Sequence, residues 1–153
     1  MDYVNLLIDG ISVALDIVFN PNGASTYKLY SELTEQDLIT PAFFIGCKTS
    51  KETPVVDKRF KVETEYVVMF TPNKNDAKPL FTMNVIGVKL FNVLNEIFVT
   101  GDTVGYRGKD MDYEIKDGLL FFNVKYEFDI FKDELVEKMK DLTVIMEDVT
   151  IGN

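Results

Sequence analysis

Two alternating runs joined by Asp117-Gly118 constrain this chain more than any other feature. Asp-Gly supplies the two positive-φ residues that a tight type I′ hairpin turn requires. The runs Met111–Lys116 and Leu119–Phe131 are therefore expected to pair as antiparallel strands. On the longer one, Leu120, Phe122, Val124, Tyr126, Phe128 and Ile130 share a face. Asn123, Lys125, Glu127 and Asp129 share the other. A slip of one residue would bury those charges, so the register is tightly specified.

A second strand of the same kind runs from Phe60 to Phe70. Phe60, Val62, Thr64, Tyr66, Val68 and Phe70 alternate with Lys61, Glu63 and Glu65. Val67 and Met69 make its far end apolar on both sides. The run Thr40–Cys47 has no alternation: Pro41-Ala42-Phe43-Phe44-Ile45 is continuously apolar. That pattern predicts a strand covered on both faces near the middle of a sheet. Tyr27–Ser31 reads as a short edge strand, and Glu32–Ile39 as an acidic connection with room for a helical turn.

Two stretches have helical periodicity. In Tyr3–Phe19 the residues Val4, Leu7, Ile8, Ile11, Leu15, Val18 and Phe19 recur at three-and-four spacing. Leu6, Val13, Ala14 and Ile17 widen that apolar arc beyond what one sheet face needs. It is either deeply sunk on its own sheet or partly turned to a neighbouring subunit. Asn20-Pro21-Asn22-Gly23 ends the helix. A second helix is expected from about Pro79 to Phe98, with Met83, Ile86, Gly87, Leu90, Leu94, Ile97 and Phe98 inward. Gly87 inside it costs about 1 kcal/mol relative to alanine, which a close helix–sheet or helix–helix approach would explain. Gly101, Gly105 and Gly108 match no dinucleotide or P-loop spacing and read as turns or a bulged strand.

These patterns give an α+β fold: an antiparallel or mixed sheet with two main helices packed on one face. At 153 residues the chain suits one domain, assigned to residues 1–132, followed by a C-terminal arm at 133–153. A net charge of −9 disfavours stable binding to nucleic acid or to an anionic membrane. Met1-Asp2-Tyr3 carries no basic signal segment and no apolar run reaches membrane-spanning length, so an intracellular compartment is expected.

The chemistry on offer is sparse. There is no histidine, which excludes His-based triads, metal ligands and pH switches. The one cysteine, Cys47, lies in the apolar run and is expected to be a buried small hydrophobe without an activating base. Asp110, Asp112 and Glu114 share a strand face but miss the calcium-loop template, which wants glycine where Ile115 stands. Glu63 with Glu65, and Glu127 with Asp129, are solvated pairs unless folding converges them on a pocket. Lys48–Arg59 reads as a loop holding Lys48, Lys51, Lys58 and Arg59, a positive patch in an acidic chain. It is either a solvated hairpin tip or a docking loop for an acidic partner. As an interface it would meet Glu63 and Glu65, or Glu127 and Asp129, of the next subunit.

Lys28-Leu29-Tyr30, Pro41-Ala42-Phe43-Phe44-Ile45, Met69-Phe70-Thr71-Pro72 and Gly101-Asp102 occur in order. Tyr113-Glu114-Ile115-Lys116-Asp117-Gly118-Leu119 and Phe121-Phe122-Asn123-Val124 follow them. This order resembles the bacteriophage tail terminator (tail completion) proteins of phages and prophages of Gram-positive bacteria, over about Ile11–Phe131. The resemblance implies a small α/β subunit that closes into a ring, typically hexameric, on the tail tube. It implies tail tube and head-completion (connector) proteins as partners, and neither enzymatic activity nor a cofactor. The location implied is the host cytoplasm during assembly and then the virion tail. Two other readings remain open: a carboxylate-based, metal-dependent enzyme, and a monomeric acidic adaptor for a basic partner.

Overall fold

The structure, a computed structural model, describes residues 2–32 and 38–132. The expected C-terminal arm at 133–153, and most of the connection at 32–39, lie outside the described residues. Helix α1 spans Tyr3–Phe19, and a short 3-10 turn Pro21–Gly23 follows it. Strands β1 (Lys28–Tyr30), β2 (Ala42–Val56) and β3 (Arg59–Thr71) come next. Helix α2 spans Pro79–Val93, and β4 (Glu96–Ile97), β5 (Tyr106–Lys116) and β6 (Leu119–Phe131) complete the order.

The six strands are ordered β1-β2-β3-β6-β5-β4. β1 runs parallel to β2, while β4–β5 and β5–β6 are antiparallel, so the sheet is mixed. The β5–β6 hairpin turns as expected: Asp117 and Gly118 have φ of 55° and 75°. Its register pairs Lys116 with Leu119 and Tyr113 with Phe122, and shifts between Lys109 and Asp112. Two residues there, Asp110 and Met111, oppose one on β6, which is a bulge, and Asp110 takes a φ of 50° to make it. The bulge lies past the glycine-rich stretch, which turns at Gly101, with a φ of 92°, before β5 begins at Tyr106.

Among the described residues two compact units can be distinguished, one within residues 2–50 with 63–127, and the other residues 51–62 with 128–132. In the first, both helices cover one face of the sheet. Leu7, Ile11, Leu15 and Phe19 of α1 are buried, and Phe19 joins Tyr27, Phe43 and Phe70 in a ring cluster with centroids 4.8–6.2 Å apart. From α2, Phe91 meets Phe122 edge-on at 5.0 Å. Tyr66 of β3 and Tyr126 of β6 lie 6.1 Å apart. Rings tilted at these separations add about 0.5–1.5 kcal/mol per pair beyond the area they bury.

The buried polar groups tie the helices down. The Tyr66 hydroxyl donates to the Val4 carbonyl at 3.1 Å, and the Tyr126 hydroxyl to the Leu94 carbonyl at 2.8 Å. Asn20, 6% exposed, donates from Nδ2 to the Tyr27 carbonyl and accepts from the Tyr27 N–H, each at 2.8 Å. It therefore clamps the end of α1 to the approach of β1. Gly87 lets α2 sit against β5: a Cβ there would lie 2.8 Å from the Tyr113 ring.

In the second unit Asp57 adopts a φ of 52° in the turn between β2 and β3. The Lys132 amide donates to the Lys58 carbonyl at 2.9 Å, and its ammonium lies 4.5 Å from the centre of the Phe60 ring and pairs with Glu52. Arg59 pairs with Asp129 at 3.1 Å.

Four expectations need correction. Thr40–Cys47 is not central, and among the described residues both faces are covered only at its start, where the neighbours Ala42 and Phe43 are both buried. β2 lies second from the edge, only Ala42, Phe43 and Ile45 of it are buried, and β3 and β6 hold the middle. Lys48–Arg59 is not a loop, because β2 continues to Val56 and returns after a two-residue turn. Cys47 is exposed, having passed beyond the part of β2 that the core covers. Helix α2 stops at Val93, so Phe98 lies beyond β4 and is 54% exposed.

Candidate assembly surfaces

The charged candidates now have addresses. Lys48 and Lys51 are on β2, Lys58 is in the turn, Arg59 opens β3, and Glu63 and Glu65 follow on β3. Within the first unit, Lys48 meets Glu65 at 3.7 Å, Lys109 meets Glu127 at 2.8 Å and Lys125 meets Asp110 at 3.6 Å. Lys51, Lys58 and Arg59 belong to the second unit, where Arg59 faces Asp129. Basic and acidic residues thus already neighbour each other in one chain. Solvent screens such exposed pairs, so they hold their side chains only loosely.

A second surface is apolar. On α1, Val13, Ile17 and Val18 are exposed, Ile17 to 67%. With Gly10, Ala14 and Phe98 they border a groove of about 330 Å³ between α1 and the β4 segment. Gly10 brings the helix close: a Cβ there would lie 3.1 Å from the Phe98 carbonyl oxygen. Helix α2 adds Leu80, Phe81, Val85 and Val88, with Phe81 68% exposed. Exposed apolar side chains on both helices set these faces apart from the charged strands. The wide arc of α1 foreshadowed the groove. Sequence reasoning missed the outer side of α2, although its signal was present: Lys89 is the one charged residue in Pro79–Val93.

The groove beside α1 carries one carboxylate, Glu96, and the small hollow beside β2 carries Glu32. Among the described residues, no cluster of three His, Cys, Asp or Glu side chains is arranged to hold a metal ion. Asp112 accepts a hydrogen bond from Asn123 at 2.9 Å, and Glu63 and Glu65 project from the strand face opposite the buried Thr64 and Tyr66. Burial pushes the Tyr66 and Tyr126 phenols well above their ordinary range. Partial burial raises the Cys47 thiol, which keeps it protonated near neutrality. Tyr106, hydrogen-bonded to Asp102 at 2.9 Å, is raised by burial and then by that carboxylate. Among the described residues no helix is long and apolar enough to cross a membrane.

A family model for phage tail terminator proteins matches residues 7–149. No curated protein matches the chain. One solved chain is similar over 82% of this chain and 93% of its own length, at 11% identity and a TM-score of 0.34, too low to carry an argument.

Proposed function

Since this chain belongs to the phage tail terminator family, a family of structural tail proteins, we propose that it is the ring subunit that caps the tail tube. In this role it stops tube polymerisation and offers the surface on which head-completion proteins join. The ring is hexameric and forms on the tube end. The free chain is monomeric or weakly associated, since preformed rings would cap tubes early. The subunit acts in the host cytoplasm during assembly and thereafter in the virion tail. It carries out no catalysis and uses no cofactor. The family match over nearly the whole chain is the observation that carries this reading.

The surfaces described above support it. Identical subunits need a contact that buries apolar area, and α1 presents Val13, Ile17 and Val18 to solvent. Lys48, Lys51, Lys58, Arg59, Glu63 and Glu65 form the candidate charged contact with the next subunit or the tube. A chain at −9 repels phosphate, which suits a ring through which DNA passes without being gripped.

Purified protein added to tail tubes that lack it, viewed by negative-stain electron microscopy, should place a ring on one end of each tube. Bare tube ends at saturating protein would refute the capping role. The triple reversal Lys48→Glu, Lys51→Glu and Lys58→Glu should leave the chain folded and abolish capping. Rings that assemble normally at low and high salt with that variant would remove these lysines from the interface. Isothermal titration with magnesium, manganese and zinc addresses the competing enzyme reading, which requires one of them to bind.

A further inference from the structure

Neither edge strand of the sheet covers the strand beside it. β1 pairs with β2 only at Ala42, Phe43 and Phe44. From Ile45 onward no described strand flanks the outer side of β2. At the other end, β4 pairs with β5 only at Tyr106 and Arg107. One further bond runs from the Gly108 amide to the Asn95 carbonyl, at 2.8 Å. From Lys109 to Lys116 the outer side of β5 is likewise unflanked by any described strand. Each open stretch presents backbone N–H and C=O groups that another strand can pair with.

The two stretches fit each other. Direction is the first reason. β2 reverses into β3 through a two-residue turn, and β5 is antiparallel to β6. β3 and β6 are also antiparallel, since Lys58 meets Lys132 while Thr64 meets Tyr126. After three reversals β2 and β5 run oppositely, so a copy facing the same way would pair its β2 with this β5 antiparallel. Height is the second. Lys48 touches Glu65, Thr64 touches Tyr126, and Tyr126 pairs with Gly108, which puts the open stretches within a few residues of one row.

Charge is the third. Lys48 is exposed on the β2 stretch, and on the β5 stretch Asp110, Asp112 and Glu114 are exposed between Lys109, which pairs with Glu127, and Lys116 at the two ends, so its middle is acidic. Beyond that stretch, the apolar groove bordered by Val13, Ile17 and Phe98 lies beside β4, which flanks β5 at Tyr106 and Arg107.

We infer that copies of this chain join head to tail by antiparallel pairing of the outer edge of β2, at Ile45–Ser50, with the outer edge of β5, at Lys109–Lys116. Lys48 of one copy then faces the Asp110, Asp112 and Glu114 carboxylates of the next. Two different surfaces meet, so the contact is heterologous and repeats until the rotation closes a ring. The inference rests on the ring reading and names the surface that builds it.

Disulfide trapping tests it in the full-length chain. In a Cys47→Ser background, Lys48→Cys combined with Asp112→Cys places one thiol on each edge. Oxidation on tail tubes should give a ladder of covalent oligomers that ends at the closed ring. Lys48→Cys alone and Asp112→Cys alone should give none, because a heterologous contact does not bring like positions together. Independently, Lys48→Asp should reduce ring formation at least tenfold, and adding Asp112→Lys should restore it. Rings seen by microscopy without a cross-linked ladder would overturn the edge pairing while leaving the terminator reading intact. A cross-link confined to single chains, or equal cross-linking by the single variants, would also overturn it. Absence of rings from the unmodified chain on tubes would refute the terminator reading itself.

Discussion

Phe122→Ala is the substitution with the most to say about how this chain is held together. Phe122 is fully buried on β6, on the face both helices cover, and it meets Phe91 of α2 at 5.0 Å. Its neighbour Phe121 points to the other face and is half-buried. Truncating Phe122 removes the transfer free energy of a buried ring and leaves a cavity that the helix can only partly fill. Together these cost about 3–5 kcal/mol. Truncating Phe121 forfeits about half the ~1.5–3 kcal/mol of a fully buried side chain, or roughly 1 kcal/mol, and solvent fills the space. With a urea slope of about 2 kcal/mol/M, the midpoints should fall by about 2 M for Phe122→Ala and about 0.5 M for Phe121→Ala. The chain has no tryptophan, so far-UV circular dichroism is the readout. Equal shifts, or a larger one for Phe121→Ala, would mean that the faces of β6 are inverted.

Three further outcomes follow from the same packing. Cys47 should react with a maleimide in the native protein without denaturant, more slowly at neutral pH than a small-molecule thiol, because it is exposed yet its thiol is raised; protection until unfolding would contradict this. Gly108→Ala should destabilise by about 1–3 kcal/mol, since a Cβ there would come 2.5 Å from the Leu94 carbonyl oxygen, and an unchanged melting temperature would refute that contact. Tyr66 and Tyr126 have folded-state pKa values above the unfolded one, so their contribution is complete below about pH 10 and is lost as pH rises beyond it. The denaturation midpoint should therefore be flat into the mildly alkaline range and fall above about pH 10, less steeply when Tyr66→Phe and Tyr126→Phe are combined.

The parts of the fold legible in the sequence are those where one period dominates a long run. α1 has the bounds its three-and-four spacing predicts, and β6 and β3 alternate as strands with one buried face. The Asp117-Gly118 turn was legible because only a few dipeptides accept two positive φ values. The second half of β2 was not. Lys48–Val56 has no alternation and no core to face, and it is extended because β3 supplies its partner across a short turn. β4 was hidden in the same way: two residues cannot show a period, and Leu94 and Ile97 continue the spacing of α2 although the helix stops at Val93.

The candidate surfaces divide along the same line. The apolar width of α1 could be read, but not which residues the sheet would leave uncovered, because that depends on where α2 and β4 come to rest. The open edges of β2 and β5 are invisible in sequence, since they arise from the shortness of β1 and β4 rather than from any residue of their own.

The length distribution of tails in a phage whose copy of this reading frame has been removed bears most directly on the claim that the protein terminates the tube. Electron micrographs of lysates should show tubes of uncontrolled length, none joined to heads, and supplying the chain from a plasmid should restore a single length and intact particles. Tails of normal, uniform length joined to heads without the protein would contradict the account.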